Sequence, residues 1–138
     1  MTQGSFELYN NSSIKIKGKS FDLNSFKGLN DILQKLIHEN KTKNISVIGN
    51  FNTELQLNSI FSKANEIDEA LALLQHITRT IEESSIKFIS HVNGVVRGPA
   101  LELVLSCNCI KAEIDTSLDF IYTSEGIIPF FGSIQRVI

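Results

Sequence analysis

The side chains that could carry chemistry are few. Glu102 stands three residues after Pro99 in the short apolar run Gly98 to Cys107, which places it in the first turn of a helix, where the macrodipole stabilises a carboxylate. Pro99 suits the first helical position, because the N–H it lacks would find no intrahelical partner there. Cys107 and Cys109 are too close in sequence for an easy bridge, and no further Cys or His completes a metal set. They read as small buried hydrophobes. His38, His76 and His91 occur singly, without the spacing that aims two imidazoles at one ion.

The elements that must position these residues follow from periodicity. Phe6 to Tyr9 and Ser13 to Lys17 alternate around Asn10-Asn11, the pattern of a β-hairpin. Phe26, Leu29, Leu33, Leu36 and Ile37 recur at helical spacing from Ser25 onward. Ile45 to Gly49 is a β-branched run expected of a strand buried on both faces, and Asn50 to Leu57 is expected as a loop. Asn58 to Glu83 carries the longest amphipathic helical signal, with Ile77 and Ile81 on its apolar face. Ile86 to Val92 reads as a strand, Asn93-Gly94 as a turn, and Ile110 to Glu113 and Leu118 to Tyr122 as closing strands. Strands alternating with helices predict a layered α/β architecture.

With 138 residues, 42% hydrophobic and 20% charged, the composition is that of one globular domain spanning 1–138. The net charge of -2, from 13 basic against 15 acidic residues, supplies no basic stripe and argues against a nucleic-acid partner. No apolar run reaches the roughly 20 residues of a membrane span, and the N-terminus lacks a basic segment followed by a hydrophobic one. A cytoplasmic location without membrane contact is expected.

The segment Phe88 to Asn108 resembles the central signature of the crotonase-like (enoyl-CoA hydratase/isomerase) family, a strand ending in Asn-Gly and followed by x-x-x-Gly-Gly-Gly-x-Glu-Leu-x-Leu-x-Cys-Asp. Asn93, Gly94, Gly98, Glu102, Leu103, Leu105 and Cys107 match it in register. Gly126 to Arg136 resembles the family's Gly-x-x-Pro-x-x-Gly-Gly-x-Gln-Arg segment. Phe51 to Leu57 falls where the family carries Phe-Ser-Ala-Gly-Ala-Asp-Leu and keeps only its two hydrophobic ends. The alternative placement, Phe61 to Ile67, would break the helical periodicity that runs to Ile81. The resemblance implies the α/β ββα-repeat spiral core of the ClpP/crotonase architecture, without the C-terminal helical region.

The resemblance also implies a chemistry. The family holds an acyl-CoA thioester carbonyl with two backbone N–H groups, and carboxylates move protons or position water. One donor falls on Leu55, with Glu54 where the family has glycine and Gln56 where it has aspartate. The second falls on Pro99, which has no N–H, so only a shift to Ala100 could supply it. Loss of one such donor costs on the order of 10²–10³ in rate. Glu102 takes the place of the first catalytic carboxylate, and Tyr122 that of the second. A phenol of pKa ~10 is a poor base at neutral pH, though it can donate a proton. Lys19 is the nearest candidate for the CoA phosphates, a solvated surface role being the alternative, and Arg97 is an unusual residue ahead of Gly98.

Family members continue past the Gln-Arg match with helices that close the acyl pocket and build trimers. Without them, apolar surface is expected to drive homo-oligomer formation or recruit a complementary chain. Three functions stand side by side: an acyl-CoA binder with impaired catalysis, with coenzyme A entering as part of a thioester ligand; an active hydratase or isomerase using Glu102 alone; and a non-catalytic interaction subunit. A split gene product without activity is the remaining alternative.

Overall fold

The computed structural model describes residues 2–3, 5–55 and 64–119. Tyr122, the Gly126 to Arg136 segment, Gln56, Leu57 and the start of the helix expected from Asn58 lie outside the described residues.

The hairpin forms as its sequence predicts. Strands β2 (Phe6–Tyr9) and β3 (Ser13–Ile16) pair antiparallel, β1 (Thr2–Gln3) adding a further antiparallel neighbour on the other side of β2. Asn10 and Asn11 sit at φ 50° and 54°, and the Ser12 N–H donates to Tyr9 O at 2.9 Å. Two consecutive left-handed residues match the right-handed twist of the flanking strands, and asparagine adopts that conformation at low cost.

From the second strand of the hairpin onward the chain repeats one unit: a longer strand, a very short strand, then a helix. The first repeat is β3, β4 (Ser20–Phe21) and α1 (Leu23–Glu39). The second is β5 (Asn44–Gly49), β6 (Glu54–Leu55) and α2 (Ala64–Glu83). The third is β7 (Lys87–Val92), β8 (Val95–Arg97) and α3 (Pro99–Ser106). A fourth begins with β9 (Cys109–Ala112) and β10 (Ser117–Asp119). The longer strands β3, β5, β7 and β9 lie parallel and adjacent in a sheet of order β1-β2-β3-β5-β7-β9. The short strands pair parallel as β4-β6 and β8-β10, and a parallel bridge between Asn52 and Arg97 joins the two pairs. Each turn of the chain therefore adds one strand to each layer, which is the expected ββα spiral.

Capping explains where α1 begins and ends. Asp22 accepts from the Ser25 N–H at 3.0 Å while the Ser25 hydroxyl accepts from the Asp22 N–H at 3.3 Å, a reciprocal box. The helix stops at Asn40, left-handed at φ 50°, whose N–H returns to Leu36 O at 3.2 Å. Its inner face buries Phe26, Leu29, Leu33 and Leu36, with Phe6 and Phe21 stacked beneath. Ile37, expected on that face, is instead 37% exposed. In β5 only Ile45 and Val47 are buried while Ser46 and Ile48 are half-covered, so one face carries the core rather than both.

The stretch from Asn50 to Leu57, expected as a loop, contains β6. Its two residues pair with β4, a contact supplied by chain 34 residues away and invisible to local alternation. β4 and β8 escape a reading of periodicity for the same reason: strands of two or three residues carry no period of their own.

Candidate functional site

The site is built where the second and third repeats meet, at the N-terminus of α3. Gly98 caps that helix at φ 71°, ψ -149°, a region almost reserved for glycine. A Cβ placed there would lie 2.1 Å from Thr53 O, so the backbones of 53–54 and 98 touch directly. The matched glycine is thus required both by conformation and by contact.

Two backbone hydrogen bonds hold the junction, and a third ties the same segment to the first repeat. The Thr53 N–H donates to Arg97 O at 3.2 Å, the Arg97 N–H donates to Phe51 O at 3.0 Å, and the Glu54 N–H turns the other way, to Lys19 O at 2.9 Å. Successive N–H groups of an extended strand point to opposite edges. The Leu55 N–H therefore leaves β6 on the edge that Thr53 shares with Arg97, away from β4. This supports placing the Phe51 to Leu57 segment, rather than Phe61 to Ile67, beside the α3 N-terminus.

Pro99 opens α3 without an N–H to offer, as its sequence requires. The next amide, that of Ala100, is buried and already engaged: it donates to Thr53 Oγ1 at 3.1 Å. The Thr53 hydroxyl passes its own proton to Arg97 O at 2.8 Å, and the Leu101 N–H returns to Gly98 O at 3.0 Å. Thr53 is 2% exposed. No reading of the residue types singled it out, although it stands where the resembled segment has alanine, and a hydroxyl in place of a methyl was the available signal.

Glu102 lies in the first turn of α3 and is 2% exposed, the one charged side chain among the buried described residues. Burial of that kind is rare for a carboxylate unless it is partnered. Lys19 lines a groove of about 390 Å³ together with Asn50, Asn52, Thr53, Glu54 and Arg97. Arg97 therefore faces the groove rather than open solvent alone, with its Nε 3.8 Å from Asp119 Oδ2. Tyr122 lies outside the described residues.

Cys107 packs at the far end of α3 and donates to Leu103 O at 3.3 Å. Burial, slightly offset by a hydrogen bond with Ser90, pushes its thiol up to about 12, which removes it as a nucleophile near neutral pH. Cys107 and Cys109 are both unbridged. Among the described residues no cluster of His, Cys, Asp or Glu could hold a metal ion, and no helix is long and apolar enough to cross a membrane.

Neither a family model nor a curated protein sequence matches the chain. Solved structures do. An enoyl-CoA hydratase/isomerase from Cupriavidus metallidurans CH34 superposes with a TM-score of 0.79 at 13% identity, covering 99% of this chain and 56% of its own. An enoyl-CoA hydratase from Mycobacterium avium subsp. paratuberculosis K-10 gives 0.78 at 14% identity over 99% of this chain and 55% of its own. One from Bacillus anthracis gives 0.73 at 19% identity over 96% and 57%. The chain has the crotonase-like fold. It spans a little over half the length of the structures it matches, and at these identities the likeness is one of architecture.

Proposed function

We propose that this chain binds an acyl-CoA thioester and has lost most of the family's catalytic power. The observation that carries this reading is the state of the α3 N-terminus: Pro99 has no N–H, and the Ala100 N–H is committed to Thr53 Oγ1. A carbonyl approaching from the groove would meet the Leu55 N–H and no second donor. An oxyanion hole with one arm falls short by a factor on the order of 10²–10³. The buried Glu102 at the matched carboxylate position and the groove flanked by Lys19 and Arg97 support a retained ligand site for the thioester and the CoA phosphates.

A thermal-shift titration with CoA and with a short enoyl-CoA, followed by a hydration assay, tests this. Binding is expected to raise the midpoint, by the equivalent of about 2.7 kcal/mol at a hundred times Kd. Turnover is expected to be absent or feeble, and Glu102→Gln is expected to abolish any residue of it. No stabilisation by either ligand would remove the acyl-CoA reading, and efficient hydration would remove the claim of impairment.

A role as an interaction subunit has its own support. Val95 of β8, Ile110 of β9, Leu118 of β10 and Ile114 between the latter two are 41%, 42%, 45% and 105% exposed. We propose that this apolar edge assembles with a second copy or a complementary chain, in the trimer-based manner of the resembled family. Light scattering showing a monomer at high concentration would count against it.

A further inference from the structure

Helix α3 starts under an unusual handicap. Its cap residue, Gly98, has no side chain to receive an amide, and its first residue, Pro99, has no amide to give. The first four N–H groups of any helix lack intrahelical partners and must be satisfied from outside. At Ala100 that partner is neither solvent nor the helix's own cap: it is the hydroxyl of Thr53, just ahead of β6 and 47 residues earlier in the chain.

We infer that Thr53 is an internal stopper, its hydroxyl oxygen occupying the acceptor place at the α3 N-terminus that an incoming thioester carbonyl would otherwise take, with a latent donor, the Ala100 N–H, beneath it. This deepens the acyl-CoA reading and rests on it for the identity of the incoming oxygen.

Three features make the occupation firm. The oxygen accepts from Ala100 at 3.1 Å while its proton goes to Arg97 O at 2.8 Å, so both functions of the hydroxyl are used. The Thr53 N–H donates to the same carbonyl at 3.2 Å, which fixes the main chain from which the side chain springs. Both Thr53 and Ala100 are almost wholly buried, so rotating the hydroxyl away would strand a buried N–H. A ligand carbonyl must therefore compete with a group already held in contact. The consequence is chemical as well as steric, because a neutral hydroxyl gains no negative charge during a reaction and leaves the helix-terminal donor without catalytic effect. Pro99 removes one donor outright, whereas Thr53 covers one that is still present.

The experiment compares the wild type with Thr53→Ser and Thr53→Ala. Without ligand, exchange of the Ala100 amide proton is followed by NMR, with Val104 in the same helix reporting that α3 stays folded. The Ala100 amide is expected to be protected in the wild type and in Thr53→Ser, and to exchange at least about tenfold faster in Thr53→Ala, the equivalent of one hydrogen bond. With a short enoyl-CoA labelled with ¹³C at the thioester carbonyl, infrared difference spectra are expected to show the carbonyl band at lower wavenumber in Thr53→Ala than in the other two. Unchanged Ala100 exchange in Thr53→Ala overturns the stopper whatever binds. So does a bound carbonyl whose band lies at the same wavenumber in Thr53→Ala as in the wild type. If the exchange arm succeeds but neither CoA nor the thioester binds any of the three proteins, the covered donor stands and the acyl-CoA reading falls.

Discussion

Replacing Thr53 with valine isolates the hydroxyl, because the two side chains have nearly the same shape and only the hydrogen bonds are lost. Thr53 is 2% exposed and Ala100 is fully buried, so water cannot repair the deficit without opening the junction. The Ala100 N–H loses its acceptor at 3.1 Å and becomes a buried orphan, a cost of roughly 1–3 kcal/mol. Arg97 O loses the hydroxyl at 2.8 Å but keeps the Thr53 N–H at 3.2 Å, so its share adds only about 0.5 kcal/mol. The sum is about 1.5–3.5 kcal/mol, which for a chain of this size lowers the melting midpoint by roughly 5–12 °C. Thr53→Ser keeps both bonds and loses one buried methyl, a cost nearer 1 kcal/mol. Urea unfolding monitored by circular dichroism on all three proteins measures these differences. The reasoning is refuted if valine is tolerated as well as serine, since the junction would then owe its stability to packing and not to the hydroxyl.

Glycine substitutions separate contact from conformation: Gly98→Ala, meeting Thr53 O at 2.1 Å in a glycine-only region, is expected to cost more than about 3 kcal/mol. Gly94→Ala, at φ 66° with nothing within 4 Å, should cost only about 1–2 kcal/mol, and denaturant midpoints will rank the two. Asp22→Ala removes one side of the α1 capping box and should cost about 1 kcal/mol, read as a lower midpoint with an unchanged m-value. Cys107 makes stability depend on alkaline pH: below 9.0 the folded and unfolded chains both hold the thiol proton, whereas between 9.0 and about 12 only the folded chain keeps it. Its contribution is therefore complete below pH 9 and falls by up to about 1.4 kcal/mol per unit above it. Urea midpoints from pH 8 to pH 10.5 should decline less steeply in Cys107→Ala than in the wild type.

What the residue types disclosed depended on how far away each partner lies. The Asn10-Asn11 turn, the face of α1 through Phe26, Leu29, Leu33 and Leu36, and the start of α3 at Pro99 are all settled by neighbours within one or two turns, and each forms as expected. The ββα spiral was legible through the Asn93 to Cys107 resemblance, and Gly98 within it must be glycine for reasons of backbone conformation and contact. β4, β6 and β8 were not legible, being two or three residues long and defined by distant partners. Thr53 was missed for the same reason: the two groups that give its hydroxyl meaning lie 44 and 47 residues further along the chain.

The Asn52–Arg97 bridge and the bonds around it set a trade-off for any attempt to expose the start of α3. The contacts that occupy the Ala100 amide also clasp one turn of the spiral to the next, so access to that amide and cohesion draw on the same few atoms. A variant that bares the amide must loosen that clasp, and keeping such a variant folded would first demand reinforcement elsewhere, at positions remote from the groove.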